Sequence, residues 1–296
     1  INYWKKAPVW TPKTIKKDQK AKCSPSAEEK DYTCYSDNAL NKMKTLWNAR
    51  HPDVKIMSTE PRDIWNTLRD NMSNVCNVET CWLRQNFMKD DTTKSLMAYT
   101  FAPESPTSWE KDPYEWLTSL DIERVMKQYE KKYKCFEFIG PSPIDFDTHR
   151  LYGECIWEEL CKLNLKKLIK KGKNKIGIIF NLDPHYKEGS HWVSMFINIK
   201  EGYIFYFDSN GDPIPDEIMK LVDRVIKQAE EINISMNFYQ NHPFEHQKSN
   251  TECGMFSLYL IITLLRDCKG FKEFMNKRVP DAKMKKLRNE YFNRSN

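Results

Sequence analysis

The residue best placed to do chemistry in this chain is Cys253. It is followed by Gly254 and stands where a polar, turn-forming run, Gln247 to Glu252, gives way to an apolar stretch from Met255 to Leu265. That stretch is apolar for most of three turns, which predicts a helix buried on most sides with Cys253 at its start. Free backbone N–H groups and the positive end of the helix dipole favour a thiolate over a thiol at such a position. A cysteine there is a good nucleophile if a base can reach it.

Two other stretches could supply the base and its support. Ser190 to Ile199 and Gly202 to Gly211 are rich in aromatic and β-branched residues and predict two strands, with Lys200-Glu201-Gly202 as a tight connection. A two-residue loop at Glu201-Gly202 pairs Lys200 with Tyr203 and Met195 with Asp208. His191 then opens the first strand near the end of the second, beside Asp208, Asn210 and Asp212. Several candidates for the group that orients the imidazole stay open on this register alone.

The order His191-Trp192, Asp208-Ser209, then Gln247 six positions before Cys253-Gly254, resembles the ubiquitin-like-protease (Ulp) superfamily of cysteine proteases. That superfamily includes the SUMO proteases and the adenovirus processing protease. The runs HQKSNTECG, KGFKEFMNKRV and LRNEYFNR, with HWVSMF and YFDSNG, are similar to the polyprotein-processing proteases of large DNA viruses of the African swine fever virus type. The similarity runs with gaps from about Trp109 to the C-terminus. One departure stands out, since that viral type carries Asn where this chain has Asp208.

The resemblance implies Cys253 as nucleophile and His191 as the base that takes its proton and later protonates the leaving amine. It implies Asp208 as acceptor of the His191 Nδ1–H, holding the tautomer and the imidazolium. Gln247, with the Cys253 backbone N–H, would donate to the oxyanion. Trp192 would roof a narrow tunnel that admits glycine beside the scissile bond, against the plainer reading of a core residue on the strand's other face. His185, His242 and His246 are poorer candidates for the base. No cofactor and no metal enters this chemistry.

The implied function is an endopeptidase that cleaves viral capsid or core polyproteins after Gly-Gly-type sites during virion maturation, in host cytoplasmic assembly sites and the virion. The alternatives are an isopeptidase acting on SUMO or ubiquitin conjugates, and a catalytically idle protease fold that binds ubiquitin-like partners.

The chain's 296 residues suffice for one large or two modest domains. Net charge is +6 from 47 basic and 41 acidic residues. That near-balance does not call for nucleic acid, although Lys clusters such as Lys166, Lys167, Lys170, Lys171 and Lys173 leave weak phosphate contact open. No apolar run is long enough to span a membrane. Nine cysteines without a CxxC pair read as reduced thiols, and only Cys76/Cys81 and Cys155/Cys161 approach the spacing of metal ligands.

The elements that must position these residues divide at about residue 102. Residues 1–102 read as a basic arm followed by a small helical domain, with helices from Asp37, from Arg62 to Met72, and from Cys81 to Met88. Residues 103–296 read as the protease unit: a helix near Asp121, a strand at Cys135–Ile139, a helix from Cys155 to Ile169, then strands, a helix from Pro215, a last strand and the Cys253 helix. That order predicts an α+β fold with a mostly antiparallel sheet flanked by helices.

Overall fold

A computed structural model describes residues 21–89 and 93–294, and the chain forms two compact units, mainly Ala27–Phe101 and Ala102–Asn296. Residues 1–20, where most of the expected basic arm falls, lie outside the described residues.

The N-terminal unit holds α1 (Asp37–Arg50), α2 (Pro61–Met72) and α3 (Lys94–Tyr99). The Ser36 side chain caps α1 by accepting from the Ala39 N–H, directly before the expected helix start at Asp37. Leu40, Met43 and Trp47 of α1 and Ile64, Leu68 and Met72 of α2 recur at helical spacing and meet in one core. The helix expected at Cys81–Met88 is instead two short 3₁₀ turns, Glu79–Arg84 and Asn86–Met88. There the Tyr35 hydroxyl donates to the Glu79 carbonyl, the acceptor a longer α-helix would offer its own N–H groups.

In the second unit the described strands form one five-stranded sheet in the order β1 (Phe136–Pro143), β2 (Lys175–Asn181), β3 (Trp192–Asn198), β4 (Tyr203–Phe207), β5 (Asn237–Gln240). The two central pairings, β2 with β3 and β3 with β4, are antiparallel, and the two edge pairings are parallel. The sheet is thus mixed, because β1 and β5 each reach it through a helical crossover.

Both faces are covered. α4 (Ser119–Lys132), α8 (Cys253–Arg266) and α9 (Asp281–Tyr291) pack with Phe196, Phe205 and Phe207 on one side. α5 (Glu158–Cys161), α6 (Leu165–Lys170) and α7 (Asp216–Glu230) pack with Val193, Met195 and Ile197 on the other. Alternate residues of β3 feed opposite cores, and every residue of the strand is buried. The single helix expected at 155–169 is broken into α5 and α6, because the Asn164 side chain accepts from the Lys167 N–H and starts a new helix.

The β3–β4 connection differs from expectation. Asn198 pairs with Tyr203 and Met195 with Tyr206, a two-residue slip from a two-residue loop. The Asn198 side chain accepts from the Glu201 N–H and closes a longer turn. Gly177 lets α8 lie close to the sheet, since a Cβ there would come within 2.9 Å of Ile261 Cγ2 and of the Phe136 ring.

The cysteines are not all thiols. Cys23–Cys34, Cys76–Cys81 and Cys155–Cys161 are disulfide-bonded, and Cys135, Cys253 and Cys268 are free. The reduced-thiol reading is corrected: the paired Cα atoms lie 5.3, 5.6 and 6.2 Å apart, within bridging reach. No described helix is long and apolar enough to cross a membrane.

Candidate active site

Three chain segments end at one edge of the catalytic sheet. His191 immediately precedes β3, Asp208 immediately follows β4, and Cys253 is the first residue of α8, which packs along β3. The hydrophobic run from Met255 to Leu265 leaves α8 buried on nearly every side, which fixes where its N-terminus points.

His191 Nε2 lies 2.7 Å from Asp208 Oδ1, and Cys253 acts electrostatically on the same ring. With Nε2 committed to the carboxylate, Nδ1 is the nitrogen left for the sulfur. This corrects the expected assignment, in which Nδ1–H faced Asp208. The two-residue register slip does not break the contact, because Asp208 lies beyond the last paired residue, Phe207 opposite Ser194, where the chain is free to turn toward His191.

Asp208 is fully buried. Its Oδ1 also accepts from the Asn210 N–H at 2.8 Å. The Asn241 side chain clamps its backbone, accepting from the Asp208 N–H at 2.9 Å and donating to the Asp208 carbonyl at 2.7 Å. Burial of His191 opposes its charge, but the hydrogen bond to Asp208 and the electrostatic influence of Asp208 and Cys253 outweigh it, and the imidazole pKa is pushed up to about 10. At neutral pH this ring therefore carries its proton.

Gln247 is tied to the same strand end. Ser209 Oγ donates to Gln247 Oε1 at 2.8 Å, and Gln247 Nε2 donates to the Ser249 carbonyl at 2.6 Å. The Ser209 carbonyl accepts from the backbone N–H groups of His246 and Gln247 at 2.9 and 2.8 Å. The dipeptide Asp208-Ser209 thus orients the imidazole through one residue and the Gln247 amide through the next. An amide held this way has a second N–H to give to a developing oxyanion.

Trp192 is 8% exposed and donates its indole N–H to the Leu117 carbonyl at 3.0 Å. A Cβ at Gly254 would come 3.2 Å from Trp192 Cδ1 and 3.1 Å from Leu117 Cβ, so the indole lies against the first turn of α8. The strand alternation that separates the faces of His191 and Trp192 stops at the strand's first residue, and both lie beside that turn.

The other histidines have different work. Buried His246 donates from Nε2 to the Phe274 carbonyl and accepts from the Val279 N–H at Nδ1. Burial pushes its pKa down, leaving a neutral, doubly satisfied ring. His242 bonds the Gly211 carbonyl and His185 pairs with Asp145.

Sequence reasoning gave no role to Ser209 or Asn241. The adjacency of Ser209 to Asp208 was a signal; nothing local marked Asn241. Among the described residues the one group that could hold a metal ion, His149, Cys155 and Cys161, includes none of His191, Asp208, Gln247 and Cys253.

Residues 116–295 match the family model described as the Ulp1 protease family, C-terminal catalytic domain. The chain belongs to the Ulp1 protease family. It is thereby a cysteine protease, and its relatives carry the same description. A mimivirus protein (Acanthamoeba polyphaga mimivirus) whose name describes a thiol protease is 27% identical over 290 residues, spanning 91% of this chain and 92% of its own. The cysteine protease of African swine fever virus is 29% identical over 185 residues, 60% of this chain and 67% of its own length. The crystal structure of the African swine fever virus protease shares the fold, with a TM-score of 0.64 at 20% identity over 93% of this chain and 96% of that one.

Proposed function

We propose that this Ulp1-family protein is an endopeptidase that cleaves viral structural polyproteins after Gly-Gly-type sites during virion maturation, at cytoplasmic assembly sites and within the virion. The Cys253 thiolate attacks the scissile carbonyl carbon. The His191 imidazolium stabilises that thiolate and then passes its Nδ1 proton to the departing amine. Asp208 holds the ring through Nε2 and compensates its charge. The free N–H of the Gln247 amide and the Cys253 backbone N–H receive the oxyanion. Trp192, packed against the first turn of α8, would narrow the approach to the sulfur so that only residues without bulky side chains pass. Water completes the cycle by hydrolysing the thioester.

The observation that carries this reading is the hydrogen bond between His191 and the buried Asp208, with Cys253 at the N-terminus of α8 acting on that imidazole and the Gln247 amide fixed by the neighbouring Ser209. The test is mass-spectrometric mapping of products from candidate capsid precursors, with wild type and Cys253→Ala side by side. New termini following Gly-Gly in the wild-type digest alone would support it. Several relatives from African swine fever virus carry the name SUMO-1 cysteine protease, so SUMO and ubiquitin conjugates are the counter-substrates. Faster turnover of these than of Gly-Gly-X peptides would favour the isopeptidase reading.

A further inference from the structure

We propose that His149, Cys155 and Cys161 form a site for a soft divalent cation such as zinc, open when the cysteine pair is a dithiol and closed when it is bridged. His149 and Cys155 face each other across an antiparallel bridge. The loop between them is closed by the Arg150 N–H to the Glu154 carbonyl and the Gly153 N–H to the Arg150 carbonyl, at 2.7 and 3.0 Å. Cys161 ends α5, which returns beside the bridge through the Trp157 N–H to the Phe146 carbonyl at 3.1 Å.

The imidazole is aimed at both sulfurs. His149 Nε2 is 3.7 Å from Cys155 Sγ and 4.0 Å from Cys161 Sγ. Around tetrahedral zinc, with bonds of about 2.3 Å to sulfur and about 2.0–2.1 Å to nitrogen, neighbouring donors stand roughly 3.5 Å apart. The nitrogen therefore already sits near its coordinating distance from each sulfur, and only the sulfurs must separate. Neither of the other two disulfides has a third ligand of this kind among the described residues.

The ligand arms do not depend on the bridge to stay together. Arg224 of α7 grips Asp147 with Nη1, at 3.0 and 2.9 Å, and donates from Nη2 to the Leu160 carbonyl at 2.8 Å. One guanidinium thus clamps the chain two residues before His149 and one residue before Cys161. Cys155 is buried, Cys161 half-buried and His149 exposed, so a cation enters from solvent and keeps a fourth position for water. In the balanced sequence, two equivalents of a small thiol give two electrons and two protons, becoming a disulfide as the Cys155–Cys161 bond breaks to two thiols. Binding of M²⁺ then releases both thiol protons and leaves two thiolates and a neutral imidazole on the metal.

The test uses the full chain carrying Cys253→Ala, so that the Cys253–His191 pair does not compete for metal. The protein is reduced with dithiothreitol, desalted anaerobically and titrated with Co²⁺. The expected result is one equivalent bound, with a thiolate-to-cobalt charge-transfer band and tetrahedral visible bands that Zn²⁺ abolishes. The oxidised protein should give neither. Adding Cys155→Ser and Cys161→Ser should remove the bands, and His149→Ala should weaken binding by at least about tenfold. Absence of the bands in the reduced protein, or bands undiminished by the serine pair, would overturn the assignment. If the serine pair fails to fold, His149→Ala, which keeps both thiols, decides: unchanged affinity overturns it.

Discussion

Arg288 Nε donates to Glu252 Oε2 at 3.0 Å, joining α9 to the residue immediately before Cys253 in an ion pair whose side chains are 3% and 0% exposed. The same guanidinium donates to the Glu115 carbonyl at 2.9 Å and the Thr251 carbonyl at 3.3 Å. Burial pushes the Glu252 pKa up and Arg288 works to restrain it, so the carboxylate depends on this partner. Arg288→Met should destabilise the protein by about 3–5 kcal/mol, since it leaves a buried carboxylate uncompensated. Adding Glu252→Gln should recover part of that loss. Denaturant melts of the wild type and both variants check both statements, and equal stability of Arg288→Met and wild type would contradict them.

Asp208→Asn keeps an oxygen that can accept from His191 Nε2–H but removes the charge. The His191 pKa, about 10, should then fall, because an imidazolium without its anion gives up its proton more easily. The alkaline limb of the kcat/KM–pH profile should move down by about 1–3 pH units. The stability linkage has the same sign. A folded-state pKa raised from 6.5 to about 10 gives a contribution complete below about 6.5 and lost as pH rises through about 10. An unmoved limb in Asp208→Asn would remove Asp208 from the role assigned to it.

Gln247→Ala should lower kcat by about 100- to 1,000-fold, the cost of one oxyanion donor, with little change in KM. Ser209→Ala should show a smaller loss of the same kind, since the amide stays present but loses the Ser209 Oγ bond that orients it. Steady-state kinetics on one Gly-Gly-X peptide separates the two. A large KM effect without a kcat effect would point to ground-state binding instead.

His246 is a useful control because it lies one residue from Gln247 yet does structural work. His246→Ala strands the Phe274 carbonyl and the Val279 N–H, at about 1–3 kcal/mol for each buried group left unpaired. Its melting temperature should drop while the alkaline limb of the folded enzyme's pH profile stays in place.

The sequence made most of this site legible because its parts are local. A polar run followed by a long apolar run marked the start of the Cys253 helix, and alternation marked β3 and β4. The slip in their register was an even number of residues, so every side chain kept its face and the core assignment survived. What a glycine-containing turn could not reveal was its length, which the Asn198 side chain sets from outside the turn. Other features were illegible for the same reason, being made by contacts remote in sequence. Asn241 reaches Asp208 across 33 positions, and Arg288 reaches Glu252 across 36. The disulfides escaped notice because composition reports the odd cysteine count and says nothing of Cα separations. The choice of imidazole nitrogen likewise follows only from where the carboxylate stands against the ring.

The most direct test of the central claim is covalent capture of the sulfur by a peptide vinyl sulfone ending in Gly-Gly, read by intact-protein and peptide mass spectrometry. A single adduct on Cys253 is expected in the wild type, none in Cys253→Ala, and markedly slower capture in His191→Ala. An adduct that forms at wild-type rate without His191, or one that maps to Cys135 or Cys268 while Cys253 stays unmodified, would contradict it.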